Sequence, residues 1–311
     1  GHTVAANFLA VASTGSTGRN AHSGPGSGSI APALLLCGDG IGQSIQSDHL
    51  RLSVFKYNGI STKNKFINDN SMESLANNII GELVAEDYKT AAVFKKYSID
   101  FCCQGNRTIQ EACEKKSIDS GEVIRELEAV KAQSQNADTD YKSWDLDRLA
   151  DHIQTKHHGY VEEAIGQLKP YVDKICRVHG DRHPELLEIQ RGFYASAGEL
   201  TAHMKKEEFM LFPYIKNMVR NNKATSPQFG TVENPIAAMM MEHDIEGERF
   251  RKIAKLTDNY TPPQDACNTY MVTFALLKEF EEDLHLHIHL ENNILFPKSL
   301  EMERQLTANS N

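Results

Sequence analysis

The stretch HIHLENNILFP, residues 287–297, sets a histidine, a glutamate and a Leu-Phe-Pro stop at one spacing, and HMKKEEFMLFP at 203–213 repeats it. Both read H-x3-E-x3-L-F-P, giving His203, Glu207, Leu211, Phe212 and Pro213, then His287, Glu291, Leu295, Phe296 and Pro297. An acid also stands four residues before each histidine, Glu199 and Asp283. Agreement at five positions marks an internal repeat retained for chemistry. Residues four apart on a helix share a face and lie about 6 Å apart along its axis. Each copy therefore aims one imidazole and one carboxylate in the same direction.

The segments around the repeats set the architecture. Beyond Trp144 the chain reads as four long amphipathic helices. The first carries Val161, Ile165, Leu168, Val172 and Ile175, and the third carries Ile236, Met240, Gly247, Phe250 and Ala254, at the spacing of a bundle seam. The second and fourth, roughly 185–217 and 266–300, hold the two repeats. Polar loops such as NNKATSPQFGTVENP and TDNYTPPQDAC separate them. This pattern predicts an all-α fold, an antiparallel four-helix bundle. Continuing the seams places His158 on the first helix and His243 on the third.

The inner seam then holds His158, His203, His243 and His287 with Glu207 and Glu291. Such groups in an apolar seam are costly without partners. Mixed histidine and carboxylate ligation inside a bundle is the chemistry of di-iron and di-manganese sites. We expect two iron ions per chain, the glutamates bridging them, with room for an oxo or hydroxo bridge. Since no cysteine joins the set, it does not suit a structural zinc site. Glu199 and Glu242 are expected behind the ligands, orienting them or passing protons. His285 and His289 lie about 200° round the helix from His287 and are expected to face solvent. His179 continues the seam of His158 but stands 21 residues on, about 31 Å along a straight helix. Unless the helix breaks near Pro170, it is outside the site, and its place before Gly180 suits a capping or dipole role.

Bulk properties narrow the function. The 311 residues carry a formal net charge of -9, which argues against a nucleic-acid partner. There is no run of 18 apolar residues to span a membrane. Six cysteines are too few and scattered for a disulfide scaffold, so a reduced, cytoplasmic setting is the default. Residues 1–70, with GSTGRN, HSGPGSGS and GDGIGQS, read as a disordered leader, and APALLL at 31–36 is a weak candidate for a targeting signal. Residues 71–130 read as short helices, with caps at Ser71 and at Asp119-Ser120. Residues 131–143 read as a polar linker, leaving 144–305 for the bundle.

YSIDFCCQG at 97–105 is the second informative stretch. Adjacent cysteines rarely bridge one another, because a vicinal disulfide strains the intervening peptide. From about 72 to 300 the chain resembles the iron–sulfur cluster repair di-iron proteins, the RIC family. These join a small domain bearing Tyr-x-x-Asp-aromatic-Cys-Cys to a hemerythrin-like bundle. The motif here is Tyr97, Asp100, Phe101, Cys102 and Cys103; HMKKEEFMLFP, MEHDIEGE and HIHLENNILFP carry the rest. In KHHGYVEE either His157 or His158 could be the ligand, and the seam phase favours His158. The family's glycine-rich turn after the cysteine pair is Gln104-Gly105 here. The resemblance implies a cytoplasmic stress-response protein that restores clusters damaged by nitric oxide or oxidants by supplying iron. Damaged iron–sulfur proteins would be its clients. Cys102 and Cys103 would receive or relay iron, or cap a transient homodimer. Its rivals are a di-iron nitric oxide reductase and a bundle that binds or senses dioxygen or nitric oxide.

Overall fold

The computed structural model describes residues 75–133, 139–224 and 229–309, all within one compact unit, Ile60–Asn311. The leader at 1–70, the cap at Ser71 and the middle of the linker lie outside the described residues. Four short helices come first: α1 (Ile80–Glu86), α2 (Thr90–Lys96), α3 (Ile109–Lys116) and α4 (Ser120–Gln133). At the start of α3, Thr108 and Glu111 form a reciprocal capping box, and Asp119 accepts from Gly121 N–H at the start of α4.

The four rods of the bundle follow. The first is α5 (Leu146–His152), a π-helical turn (Ile153–His158) and α6 (Gly159–His179). The second is α7 (Glu185–Lys206), a π turn (Glu207–Leu211) and α8 (Phe212–Asn221). The third is α9 (Glu233–Leu256), and the fourth is α10 (Asn268–Leu290), a π turn (Glu291–Leu295) and α11 (Phe296–Ala308). Helix α6 packs on α7 and α10, and α9 packs on the same two from the other side.

Pro213 and Pro297 explain two of the π turns. A proline inside a helix lacks its N–H and crowds the carbonyl four residues back, here Phe209 and Asn293, each within the widened turn. The first rod widens without a proline at that point, and Pro170 does not interrupt α6. The first seam is as expected, with Val161, Ile165, Leu168, Val172 and Ile175 all buried. The third shifts phase: Met239 and Ile253 are buried, whereas Met240 is exposed and Ala254 only half-buried. The inward face of α9 runs Ile236, Met239, His243, Phe250, Ile253, a stripe that keeps His243 inside.

Two apolar clusters sandwich the polar layer. One runs along the upper bundle and continues into the small helices, from Leu83, Phe94 and Phe101 to Leu200, Phe250 and Ile288. The other joins α5, α8 and α11 through Leu149, Phe212 and Phe296. The segments on either side of 131–143 therefore share a core. Gly81 and Gly105 permit the close approach. Gly81 N–H donates to Gly105 O at 2.7 Å, and a Cβ on Gly81 would sit 2.3 Å from Asn293 Oδ1. That amide in turn donates to Phe101 O at 3.1 Å.

Candidate metal centre

The six expected residues meet in one buried layer. Two groups each lie within 4.8 Å: His158 and His287 with Glu207 and Glu291, and His203 and His243 with the same two glutamates. Each carboxylate thus belongs to both groups. His158 Nε2 and His203 Nε2 are each 3.4 Å from Glu207 Oε2. His243 Nε2 lies 3.2 Å from Glu291 Oε2, and His287 Nε2 3.2 Å from Glu291 Oε1. All four rings turn Nε2 inward.

For three of them the outer nitrogens explain why, whereas His287 Nδ1 is buried without a hydrogen bond. His203 Nδ1 meets Glu242 Oε2 at 2.8 Å, and His158 Nδ1 meets Glu208 Oε1 at 2.9 Å. His243 Nδ1 meets Asn292 Oδ1 at 2.8 Å, while the amide nitrogen of Asn292 donates to Cys102 O at 3.2 Å. A carboxylate or an amide oxygen can only accept, so these contacts put the proton on Nδ1 of the three rings and leave the Nε2 lone pair for a cation.

Several inner atoms lack partners. Both oxygens of Glu207, Oε2 of Glu291 and Nε2 of His158 are buried without a hydrogen bond. His203 and His243 bring Nε2 to within 3.0 Å of Nε2, where two lone pairs would repel. Two cations shared by the glutamates would satisfy every one of these atoms, so the residues fit a binuclear site. The electrostatics agree. Burial opposes charge on Glu291, but His287 and His243 outweigh it and hold its carboxyl well below the usual range. Burial likewise disfavours a charged His203, yet Glu207 and Glu291 push it up to about 9. Without metal, protons must do what a cation would do.

Other expectations change. Glu199 contacts none of the four rings; it is exposed and pairs with Arg249 at 3.0 Å. It borders a cleft of about 310 Å³ that reaches His203 and His243 past Glu242 and Glu246. His289 is buried and His285 nearly so, where solvent exposure was expected. The small helices cover that face: Phe101 lies against both rings at 6.0 and 6.1 Å, and Tyr88 against His289 at 5.7 Å. Burial pushes His285 down to about 4 and His289 to about 3, so both stay neutral. His157 is buried beside the site, pairs with Asp283 at 2.9 Å and stacks on His287, but belongs to neither group.

Glu208 and Asn292 were missed by sequence reasoning, although the repeat holds their signal. Each follows the glutamate of its copy, and each holds Nδ1 of the lone histidine on a neighbouring rod. A polar side chain at the same position in both copies was the available clue.

The thiol pair sits directly behind His243. Cys103 Sγ donates to His243 O at 3.3 Å, and a Cβ on Gly247 would lie 3.0 Å from that sulfur. Asp100 Oδ1 accepts from the Cys102 and Cys103 amides at 3.1 and 2.9 Å, and Arg251 anchors its other oxygen at 2.7 Å. The two sulfurs stand 3.7 Å apart, and Cys103 and burial push the Cys102 thiol well up.

Residues 76–131 match the family described as a domain of unknown function, DUF542, and residues 149–299 match the hemerythrin HHE cation binding domain. The chain is 33% identical over 228 residues to a probable iron-sulfur cluster repair protein of Haemophilus influenzae, covering 73% of this chain and 98% of that one. It is 35% identical over 221 residues to the iron-sulfur cluster repair protein YtfE of an Enterobacter species, covering 71% and 96%. It is 32% identical over 220 residues to the repair protein ScdA of Staphylococcus haemolyticus, again covering 71% and 96%. With the two matched domains in the same order as the helical cap and the bundle, the chain belongs to the family of the iron–sulfur cluster repair proteins.

Proposed function

We propose that the chain holds two iron ions, oxo- or hydroxo-bridged, in the two histidine pairs, and restores iron–sulfur clusters damaged by nitrosative or oxidative stress by supplying iron. Damaged iron–sulfur proteins are then its clients, nitric oxide is one source of the damage, and the cytoplasm is where it acts. No helix among the described residues is long and apolar enough to cross a membrane. The observation that carries the reading is the sharing of Glu207 and Glu291 by both histidine pairs.

Bound iron would supply exchangeable, oxidisable cations at neutral pH. The protein's part is to hold and release them. Hard carboxylate oxygens and neutral imidazoles bind iron with less grip than an all-thiolate site would. Glu242 holds His203 beside the cleft, and Lys206 pairs with the same carboxylate. A change at that pair would loosen one ligand on the solvent side while the His158 side stays packed against Phe212.

The test is metal content with transfer. Protein made aerobically with ample iron should carry about two irons per chain, with absorption in the near ultraviolet and visible. Mixed with an iron-depleted iron–sulfur dehydratase and a sulfide source, it should lose iron as dehydratase activity returns. A single zinc ion per chain would overturn the binuclear site; stable iron with no transfer would overturn the donor role.

A further inference from the structure

A cleft of about 700 Å³ lies where the small helices meet α9 and α10, on the face of α10 turned away from the metal layer. That volume is within the range of small-molecule sites, roughly 300–1,000 Å³. Lys95 and Lys116 reach it from the last turns of α2 and α3, Lys255 from the last turn of α9, and Lys278 from the middle of α10. None of these four forms an ion pair among the described residues. A helix end carries about half a negative charge, so each terminal lysine exceeds what its own end would take up. Lys278 has no helix end to serve. The acids beside them are fewer. Asp100 is held by Arg251 at 2.7 Å, which leaves Glu281 and Glu282. Burial pushes Glu281 up to about 7, so near neutral pH only part of its charge is present. The wall is therefore cationic, on a chain whose formal net charge is -9.

Two buried polar atoms of the residues lining this cleft lack a hydrogen bond, Tyr260 Oη and His285 Nδ1. Tyr260 is only 8% exposed. Its hydroxyl favours the charged form of Glu281 without closing a hydrogen bond to it. The backbone is strained to bring this ring to the wall. Asp258, Asn259 and Tyr260 take φ of 47°, 54° and 60°, and three left-handed residues in succession are unusual without glycine. The turn is held by Asn259 N–H on Ala254 O at 2.7 Å and by Tyr260 N–H on Thr257 Oγ1 at 3.0 Å. His285 packs edge-on against Phe101 at 6.0 Å, a neighbour that offers its nitrogen no partner. A buried polar group without a partner is costly, and it is explained where a ligand completes its bonding.

We propose that this cleft binds a small oligo-anion, one carrying two or more carboxylate or phosphate groups. Lys95, Lys116, Lys255 and Lys278 meet its charged groups, and Tyr260 Oη and His285 Nδ1 hydrogen-bond to the end that enters deepest. The walls come from both the small helices and the bundle, so an occupant braces one against the other. None of the six metal-layer residues takes part, and the site can be tested separately from the iron reading.

Iron-loaded full chain is titrated calorimetrically with two weakly chelating probes, tricarballylate and fructose 1,6-bisphosphate. The salt is about 0.15 M, where loose surface charges are largely screened, and absorption is followed to show that iron stays bound. At least one probe should bind at a single site per chain with Kd below about 1 mM. Binding of tricarballylate alone identifies carboxylates as the recognised groups, and binding of the bisphosphate alone identifies phosphates; either supports the site. At a hundredfold excess over Kd the melting temperature should rise by about 5–10 °C. Lys255→Ala with Lys278→Ala should weaken binding about tenfold. Tyr260→Phe removes only the hydroxyl and should weaken binding about 2- to 10-fold, with melting of the unliganded chain unchanged or higher. Lys252→Ala, the same loss of charge on α9 at a residue that pairs with Glu188, should leave binding unchanged. No saturable heat from either probe would overturn the proposal, as would full affinity in Tyr260→Phe. Equal weakening in Lys252→Ala would overturn it by showing unspecific attraction to surface charge. Release of iron in step with binding would do so by placing the probe at the metal layer.

Discussion

Single side chains do two kinds of work around the metal layer. Some would hold bound cations, and others only aim the rings. Glu242 is of the second kind, so Glu242→Ala should leave the helices folded but lower iron affinity about 10- to 100-fold, read by competition with a chelator. Glu199→Ala should leave affinity unchanged, because its partner is Arg249 on the outside. An equal loss in both variants would show that the cleft's charge, rather than the hold on His203 Nδ1, governs binding. Away from the metals, burial pushes Glu281 up to about 7, with Tyr260 and Lys95 opposing. An acid whose folded pKa is raised binds its proton more tightly in the native state. Its contribution to stability is full below about pH 4.5 and declines as pH climbs to 7. Glu281→Gln should therefore raise the urea midpoint at pH 8 and leave it unchanged at pH 4. A gain of the same size at both pH values would mean that packing, not titration, was altered.

At the scale of elements, the π turns are what distinguish this bundle from a regular one. Glu207 and Glu291 open the second and third of them, with Pro213 and Pro297 just beyond. Pro297→Ala returns an N–H and removes the clash with Asn293 O. If the proline sustains the bulge, the turn should tighten and swing Glu291 by up to about 100° relative to Phe296. Iron affinity should fall while the far-ultraviolet helix signal holds or rises. Unchanged affinity would mean that the packing of Leu290, Ile294 and Phe296 maintains the turn without help from the proline.

For the molecule as a whole, the small helices act as a lid bonded to the bundle. Expressed alone, residues 139–309 would expose His285, His289 and the apolar face now under Phe101 and Tyr88. Its melting temperature should drop by at least about 5 °C, as expected for the loss of roughly 2 kcal/mol in a chain of this size. Equal melting of the two forms would show that the shared core adds nothing. The double variant Cys102→Ser, Cys103→Ser should keep both irons. A serine hydroxyl can still donate to His243 O, and the Asn292 contact goes to the Cys102 backbone. If the two sulfurs relay iron, recovery of a nitric-oxide-damaged dehydratase, measured with equal iron loaded, should be slower, since the carboxylate site offers no sulfur ligand of its own. Loss of iron would instead make the thiols part of the metal site.

The sequence by itself determined the bundle and the inner ring of candidate ligands. Both follow from helical periodicity, and a repeat of His and Glu at four-residue spacing must put them on one face. It also separated His179 from His158, because helix rise converts 21 residues into distance. What periodicity could not carry was contact between elements. The phase of α9 slipped from Met240 to Met239, because apolar methionines stand at 239, 240 and 241 and only packing chooses among them. His285 and His289 were read as solvent-facing because the metal layer occupies the opposite face of α10. That outer face is buried only by helices from 200 residues earlier in the chain. The same docking brought Cys103 onto His243, and the far end of the bundle brought His179 to Cys267. These pairings depend on which surfaces meet, and only the tertiary structure decides that.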